Sequence, residues 1–320
     1  MASRHKARGV SWLASLLLAT LWVASLERLA AESPVDGERA YRYLKQLCQF
    51  GPRPTGSPGM QQQQRWLTEH FQRLGGRVRR QEFQIRHPVT GEGVTVVNLI
   101  ATFHPQRTDR ILLAAHYDTR PFPDAERDPR RRRGVFLGAN DGASGPALLC
   151  ELAHHLSGYD GPYGVDIVLF DAEEFVFGTR RDRYFVGSEY FARDYASNPN
   201  GVRYRAGILL DMVGDADLQI YPEKISMQYA KPIVKDLWNI AEELGIREFR
   251  PRVRHEVRDD HLPLNRIARI PTVDLIDFDY PRPGTRRSYW HTQQDTPDKC
   301  SPESLEKVGR VVWTWLTRLQ

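Results

Sequence analysis

The chain has 320 residues, of which 41% are hydrophobic and 27% charged, proportions that are ordinary for a soluble globular protein. Much of its net charge of +5 comes from short basic runs such as residues 130–133, which are typical of solvated loops. Because no aromatic side chains alternate with these basic residues, we do not expect nucleic acid as a partner.

The N-terminal segment has the order of a secretory signal. Four basic residues, Arg4, His5, Lys6 and Arg8, precede an apolar stretch at residues 10–26. This stretch is also close to the length of a short membrane span, so an uncleaved anchor is the alternative. We assign residues 1–31 to a signal peptide or N-terminal anchor and residues 32–320 to a single domain. The predicted location is secreted or periplasmic and envelope-facing, with a membrane tether only if the leader is retained.

After the leader, two helical patterns precede two strands. Helical periodicity is present at residues 38–50 and 60–74, and the prolines and glycines of residues 51–59 predict an irregular loop between them. Residues 77–86 and 94–103 read as strands.

The rest of the chain alternates between apolar strands and helices. The predicted strands are residues 111–115, 166–171, 207–212 and 272–276. The predicted helices are residues 141–155, 187–195, 231–244 and 301–319. This alternation predicts an α/β fold with a mostly parallel central sheet and helices on both faces.

The cysteine content argues against a cysteine metal site. Cys48, Cys150 and Cys300 are far apart in the sequence, and no pair has metal-site spacing. Whether any of them forms a disulfide is left open by the sequence, and the fold is expected to rest on its apolar core.

Acidic residues and histidines follow the predicted strands. The segments concerned are His116-Tyr117-Asp118, Asp141 within the glycine-rich residues 138–145, Glu173-Glu174, Asp211, and the later His291. Sites in such sheets form beyond the carboxyl ends of the strands. Crowded carboxylates repel one another unless a cation neutralises them. Histidine with Asp and Glu, but without cysteine, favours zinc in an open catalytic geometry, whereas calcium prefers more oxygen ligands.

The adjacent residues Glu173 and Glu174 are predicted to have different roles. Adjacent residues at the end of a strand point in different directions, so one carboxylate can bind a metal while the other faces the substrate. The second carboxylate can then act as a general base and acid beside the ion.

These motifs resemble those of the zinc aminopeptidase superfamily, which includes the animal-type glutaminyl cyclases and their bacterial relatives. The resemblance extends over residues 38–320 and includes two further motifs, Asp259-Asp260-His261 and His291-Thr292 with Asp295. It implies a single α/β domain with a mixed, mainly parallel sheet, so that residues 32–320 would form a zinc-dependent catalytic domain acting on the N-termini of peptides or proteins.

The resemblance also implies roles for individual residues. Asp141, Glu174 and His291 would bind the principal zinc ion, and Glu173 would be the general base. Members with two zinc ions complete a second site at the positions of His116 and Asp211, and Asp141 would bridge the two.

Two chemistries are known on this scaffold. An aminopeptidase activates water to hydrolyse the first peptide bond, whereas a glutaminyl cyclase lets the α-amine of the substrate attack its own γ-amide. Asp259 favours the cyclase, because the aminopeptidases have serine at this position. In a cyclase, Asp259 would pair with Asp211, and both would be catalytic residues. Trp290 resembles the aromatic wall of the cyclase substrate pocket, whereas Thr179 stands where animal cyclases have a second pocket tryptophan.

Two residues are expected to hold site residues in position without binding the metal ion themselves. Asp118 would orient His116, and Asp274 resembles the acid that bacterial cyclases carry where animal cyclases have histidine. We therefore predict a glutaminyl-peptide cyclotransferase with one zinc ion per chain. The alternatives are a zinc aminopeptidase, for which two ions are possible, and a relative without enzymatic activity.

Overall fold

A six-stranded mixed sheet forms the centre of the protein. The computed structural model describes residues 34–197, 201–281 and 288–320. In chain order the strands are β1 (Arg77–Arg86), β2 (Gly93–Phe103), β3 (Asp109–His116), β4 (Gly164–Phe170), β5 (Arg203–Asp211) and β6 (Thr272–Ile276). Their spatial order is β1-β2-β4-β3-β5-β6, with the first two pairings antiparallel and the other three parallel. The predicted mixed, mainly parallel sheet is confirmed.

Helices cover both faces of this sheet. Those of the described residues are α1 (Gly37–Gln49), α2 (Pro58–Arg73), α3 (Ser144–Leu156), α4 (Val186–Ser197), α5 (Lys224–Tyr229), α6 (Lys231–Glu243), α7 (His261–Arg266) and α8 (Pro302–Arg318). Helices α5 and α7 were not predicted, because six residues are too few to establish a helical period.

Successive side chains of β3 belong to two different apolar clusters, one on each face of the sheet. In β3, Leu113 belongs to the larger apolar cluster together with Leu44 of α1 and Val311 of α8. Its neighbour Leu112 belongs to a second cluster that contains Phe191 of α4. Successive side chains of a strand point to opposite faces, so the same strand anchors helices on both sides.

Two helix starts differ from the sequence prediction for local reasons. Helix α2 begins at Pro58, inside the predicted loop, because Ser57 Oγ accepts a hydrogen bond from Met60 N (3.1 Å) and proline is favoured in the first turn. Helix α3 begins at Ser144 and not at 141, since Gly142 has a φ of +106°. Asp141 therefore lies in the turn before the helix and is free to face the ends of the strands.

A buried ion pair fixes the start of β3. Arg110 is 1% exposed, and its guanidinium donates to both carboxylate oxygens of Asp166, at 2.9 and 2.8 Å. We expect Arg110→Ala to lower the free energy of unfolding by about 3–5 kcal/mol, because it leaves a buried carboxylate without its partner. Urea unfolding measures this. The exposed pair of Arg203 with Asp109 (2.9 Å) is the control, and Arg203→Ala should cost less than about 1 kcal/mol. Equal losses of unfolding free energy in the two variants would contradict a larger contribution of the buried pair.

The three cysteines, Cys48, Cys150 and Cys300, are buried and not joined in disulfides. The fold thus rests on its apolar core, as expected.

The predicted leader, residues 1–31, lies outside the described residues. Among the residues that are described, none of the helices has the length and apolar composition needed to cross a membrane.

Candidate active site

The predicted acidic residues and histidines meet at the carboxyl ends of the parallel strands. β3 ends at His116 and β5 at Asp211, and Glu173-Glu174 follow β4. Asp211, Glu173 and Glu174 line a cavity of about 500 Å³ together with Asp141 and His291, whereas His116 is not among its lining residues. Its acidic lining residues are Asp141, Glu173, Glu174, Asp211 and Asp259.

Asp141, Glu174 and His291 form a compact group of potential metal ligands. One ligand atom from each lies within 4.8 Å of the others, and all three residues are buried. His291 Nε2 is 3.2 Å from Asp141 Oδ2 and 3.6 Å from Glu174 Oε1. Burial alone would lower the pKa of His291, but Glu174 and the other carboxylates around it raise that pKa to about 9. One imidazole and two carboxylates are the donors zinc takes in open catalytic sites, so these residues fit zinc.

Backbone hydrogen bonds hold Asp141 in place. Asp295 accepts from Asn140 N (2.8 Å) through Oδ1 and from Asp141 N (3.1 Å) through Oδ2. Asp295 belongs to the motif that begins at His291, so the loops of two candidate ligands are tied directly to each other.

His116 forms a second group with Asp141 and Asp211. Its Nε2 lies 3.0 Å from Asp211 Oδ1 and 3.3 Å from Asp141 Oδ1. Asp141 is therefore common to both groups, as the bridging position requires. The same arrangement would serve as a hydrogen-bonded support for Asp141 in a site with one metal ion.

Asp118 contacts the Glu173-Glu174 turn more closely than it contacts His116. Its Oδ1 is 3.8 Å from His116 Nδ1, which is longer than a hydrogen bond. Its two carboxylate oxygens instead accept from Glu173 N (3.1 Å) and Glu174 N (3.0 Å). Because β3 and β4 are neighbours in the sheet, a residue just beyond β3 reaches the turn that follows β4.

Left-handed backbone conformations occur beside the site residues. Ala172 (φ +60°) precedes Glu173, Met212 (φ +47°) follows Asp211, and His291 itself has a φ of +52°. Such conformations are unfavourable for residues other than glycine and cluster at functional sites, where surrounding contacts hold them.

Glu173 is a buried carboxylic acid with a raised pKa. It is 7% exposed and lines the cavity. Burial, and next the charge of Glu174, raise the pKa of Glu173 well above its usual range. A carboxyl group with a raised pKa can both accept and return a proton during a reaction.

Asp259 lies in the cavity wall with Asp211, but the expected hydrogen bond between them is not formed. Asp259 Oδ1 accepts from Asp260 N (2.5 Å), while its Oδ2 has no hydrogen-bond partner. Burial, followed by the charge of Asp211, raises the pKa of Asp259 well above its usual range. The two acids therefore interact through charge, and Asp211 is hydrogen-bonded to His116 instead.

Asp274 lies behind Asp259, away from solvent. Asp259, His261 and Asp274 bring ligand-capable atoms within 4.8 Å of one another, and all three are buried. His261 Nδ1 is 3.7 Å from Asp274 Oδ2, and its Nε2 is 3.3 Å from Glu223 Oε1. Asp274 is thus close to the cavity wall without lining it, and its supporting role stays a prediction.

An aromatic wall closes one side of the cavity. The Trp290 ring stacks on His291 with 3.8 Å between ring centroids and packs edge-on against Phe278 at 5.8 Å. Thr179 is not among the lining residues, because its hydroxyl donates to Asp182 (2.8 Å) within its own loop. Phe185, which sequence reasoning missed, lines the cavity instead.

Arg120 is a second residue that sequence reasoning missed. It is 6% exposed, and its Nε lies 2.6 Å from Glu174 Oε2 and 3.3 Å from His291 Nε2. A basic residue two positions after the His116-Tyr117-Asp118 motif was the available signal, because carboxylates at the end of a strand attract a cation.

Comparison with known proteins identifies the family of the chain. Residues 98–316 match peptidase family M28. The structure of glutaminyl cyclase from Fimbriiglobus ruber superimposes with a TM-score of 0.84 and 40% identity, covering 90% of this chain and 97% of that chain. A Zn-dependent exopeptidase from Parabacteroides distasonis superimposes with a TM-score of 0.83 and 32% identity, over 90% and 100% of the two chains.

A curated relative is similar over most of its length. Glutaminyl-peptide cyclotransferase of Bothrops jararaca is 27% identical over 293 residues, which cover 80% of this chain and 74% of that protein. The resemblance drawn from the motifs is thus confirmed, and the chain belongs to peptidase family M28.

Proposed function

We propose that this chain is a glutaminyl-peptide cyclotransferase, which converts the N-terminal glutamine of a peptide into pyroglutamate and releases ammonia. The observation that carries the proposal is that three buried acids, Glu173, Asp211 and Asp259, line the same cavity as Trp290 in a chain 40% identical to F. ruber glutaminyl cyclase. Such a cavity offers acceptors to an amine and an aromatic surface to a flat amide.

The reaction consumes no water. The α-amine nitrogen attacks the γ-amide carbon, a carbon–nitrogen bond forms, and the bond to the amide nitrogen breaks. The amine loses one proton and the departing ammonia gains one. The enzyme must therefore hold the amine near the γ-carbon and move a proton between the two nitrogens.

The acids of the cavity are suited to these tasks. Glu173 would take the proton from the α-amine and give it to the leaving nitrogen, a use that its raised pKa supports. Asp211 and Asp259 would accept hydrogen bonds from the amine and the amide nitrogen, and Trp290 would pack against the side chain of the substrate. Asp118 would keep the Glu173-Glu174 turn in position through its two backbone hydrogen bonds.

We propose one zinc ion per chain, bound by Asp141, Glu174 and His291. When bound there, zinc supplies a Lewis acid for the γ-carbonyl oxygen of the substrate. His116 and Asp211 would remain hydrogen-bonded to each other, as they are at 3.0 Å.

Aminopeptidase activity is the second candidate. The observation that favours it is the sharing of Asp141 between the groups of His291 and His116, which would suit two metal ions. A peptidase would use Glu173 to activate water, and it would shorten peptides without releasing ammonia from glutamine.

One assay separates the two functions. The purified protein is incubated with two peptides that differ only in an N-terminal Gln or Leu. We expect ammonia and a full-length pyroglutamyl product from the first peptide and no change in the second. Release of free Leu, with no ammonia from the Gln peptide, would show that the chain is an aminopeptidase.

We further propose that residues 1–31 direct export and that residues 32–320 form the catalytic domain. The order of basic and apolar residues in the leader supports this. Sequencing the N-terminus of the exported protein tells cleavage from retention as an anchor.

A further inference from the structure

The mouth of the active-site cavity differs in charge from its floor. The acidic residues of the lining are buried, as Glu173, Asp211 and Asp259 illustrate. The lining residues exposed to solvent are Arg183 and Arg258, together with Tyr184. A substrate thus meets carboxylates at the bottom of the cavity and guanidinium groups at its entrance.

The three arginines that line the cavity differ in whether they form ion pairs. Arg120 is buried against Glu174. Arg183 Nη2 pairs with Glu189 at 2.8 Å, so its charge is partly neutralised. Arg258 is exposed and makes no hydrogen bond or ion pair with any residue in the described part of the chain. Among the described residues that line the cavity, Arg258 is therefore the arginine available to a ligand.

Arg258 lies close to where the second and third residues of a bound peptide would leave the cavity. It precedes Asp259, which would hold the amine or amide nitrogen of the first residue if the proposed function is correct. With that residue among the buried acids, the second and third residues must leave through the mouth. Consecutive Cα atoms are about 3.8 Å apart, so these residues pass within reach of an arginine side chain.

We propose that Arg258 makes the enzyme selective for peptides with a carboxylate directly after the N-terminal glutamine. This inference rests on the proposed function and specifies its substrate class. A guanidinium group presents a planar fork of donors that matches a carboxylate, and it repels a lysine at the same place. The carboxylate is that of Glu or Asp at position 2, or the C-terminus of a dipeptide.

The test compares kcat/KM for amidated peptides that differ only at position 2, namely Gln-Glu, Gln-Ala and Gln-Lys. We expect the Glu peptide to exceed the Lys peptide by about three- to tenfold at low ionic strength, as befits one exposed ion pair and one repulsion. Added salt should shrink this ratio, because both interactions are screened. Gln-Ala with a free C-terminus, compared with its amidated form, separates the chain end from the side chain as the source of the carboxylate.

Substitutions at Arg258 test the residue itself. Arg258→Gln should bring the Glu-to-Lys ratio close to one, and Arg258→Glu should invert it. Arg252→Gln is the matched control, because Arg252 is also exposed but does not line the cavity. It should keep the wild-type ratio. A ratio of two kcat/KM values is insensitive to partial misfolding, which lowers both alike.

The outcomes are distinct. Equal kcat/KM values for the three peptides in the wild type, or a preference that survives in Arg258→Gln, would overturn the selectivity. If no Gln peptide releases ammonia, the proposed function fails instead.

Discussion

Glu173→Gln is expected to lower the turnover of Gln-initiated peptides by about two to four orders of magnitude while zinc content stays near that of the wild type. The amide has almost the same shape as the carboxylate but cannot carry the proton between the two nitrogens. Glu173 is not part of the group formed by Asp141, Glu174 and His291. Initial rates of ammonia release and metal analysis of the same preparation provide the measurement.

Glu174→Gln is the matched comparison, since it makes the same change one residue along the chain. It removes the charge from a member of the ligand group, and it leaves Arg120 with a neutral partner at 2.6 Å. We expect zinc binding to weaken and activity to recover partly with added zinc. If Glu173→Gln loses the metal and Glu174→Gln keeps it, the roles of the pair are inverted.

Asp141→Asn is expected to lose most of its zinc, and cyclisation should fall by about three orders of magnitude or more, because a Lewis acid contributes several kcal/mol to the barrier. Asp141 contacts both His116 and His291, so the change weakens both of the metal positions that these two histidines would complete. A chelator added to the wild type should reproduce the loss. Activity that persists in the variant or in the chelated enzyme would contradict a metal-dependent reaction.

The metal content of the His116→Ala variant tests how many metal ions each chain binds. His116 belongs to the second group but not to the first, so with one zinc per chain the metal content should be the same in the variant and in the wild type. A fall from two ions to one would show that the second position is used. It would shift the assignment toward the aminopeptidase.

Local patterns in the sequence determined the fold class and the set of acids and histidines that follow the strands, whereas the metal ligands among them came from family resemblance. Apolar runs of strand length alternate with helical periods, and this alone predicts a mostly parallel sheet. The carboxyl ends of parallel strands share one edge, so the sequence alone predicts that residues such as His116 and Asp211 lie close together. The identity of Glu173 as the base came from family resemblance and stays a prediction.

Only the tertiary structure decided which groups contact one another. Asp118 binds the turn of Glu173 through backbone amides, and Arg120 pairs with Glu174, although more than fifty residues separate the partners in both cases. The exposure of Arg258 and the neutralisation of Arg183 depend equally on the neighbours that folding supplies. Sequence periodicity reports which face of an element is buried, but hydrogen bonds and ion pairs depend on distances of a few ångströms between elements. Those distances exist only once the strands and loops have packed together.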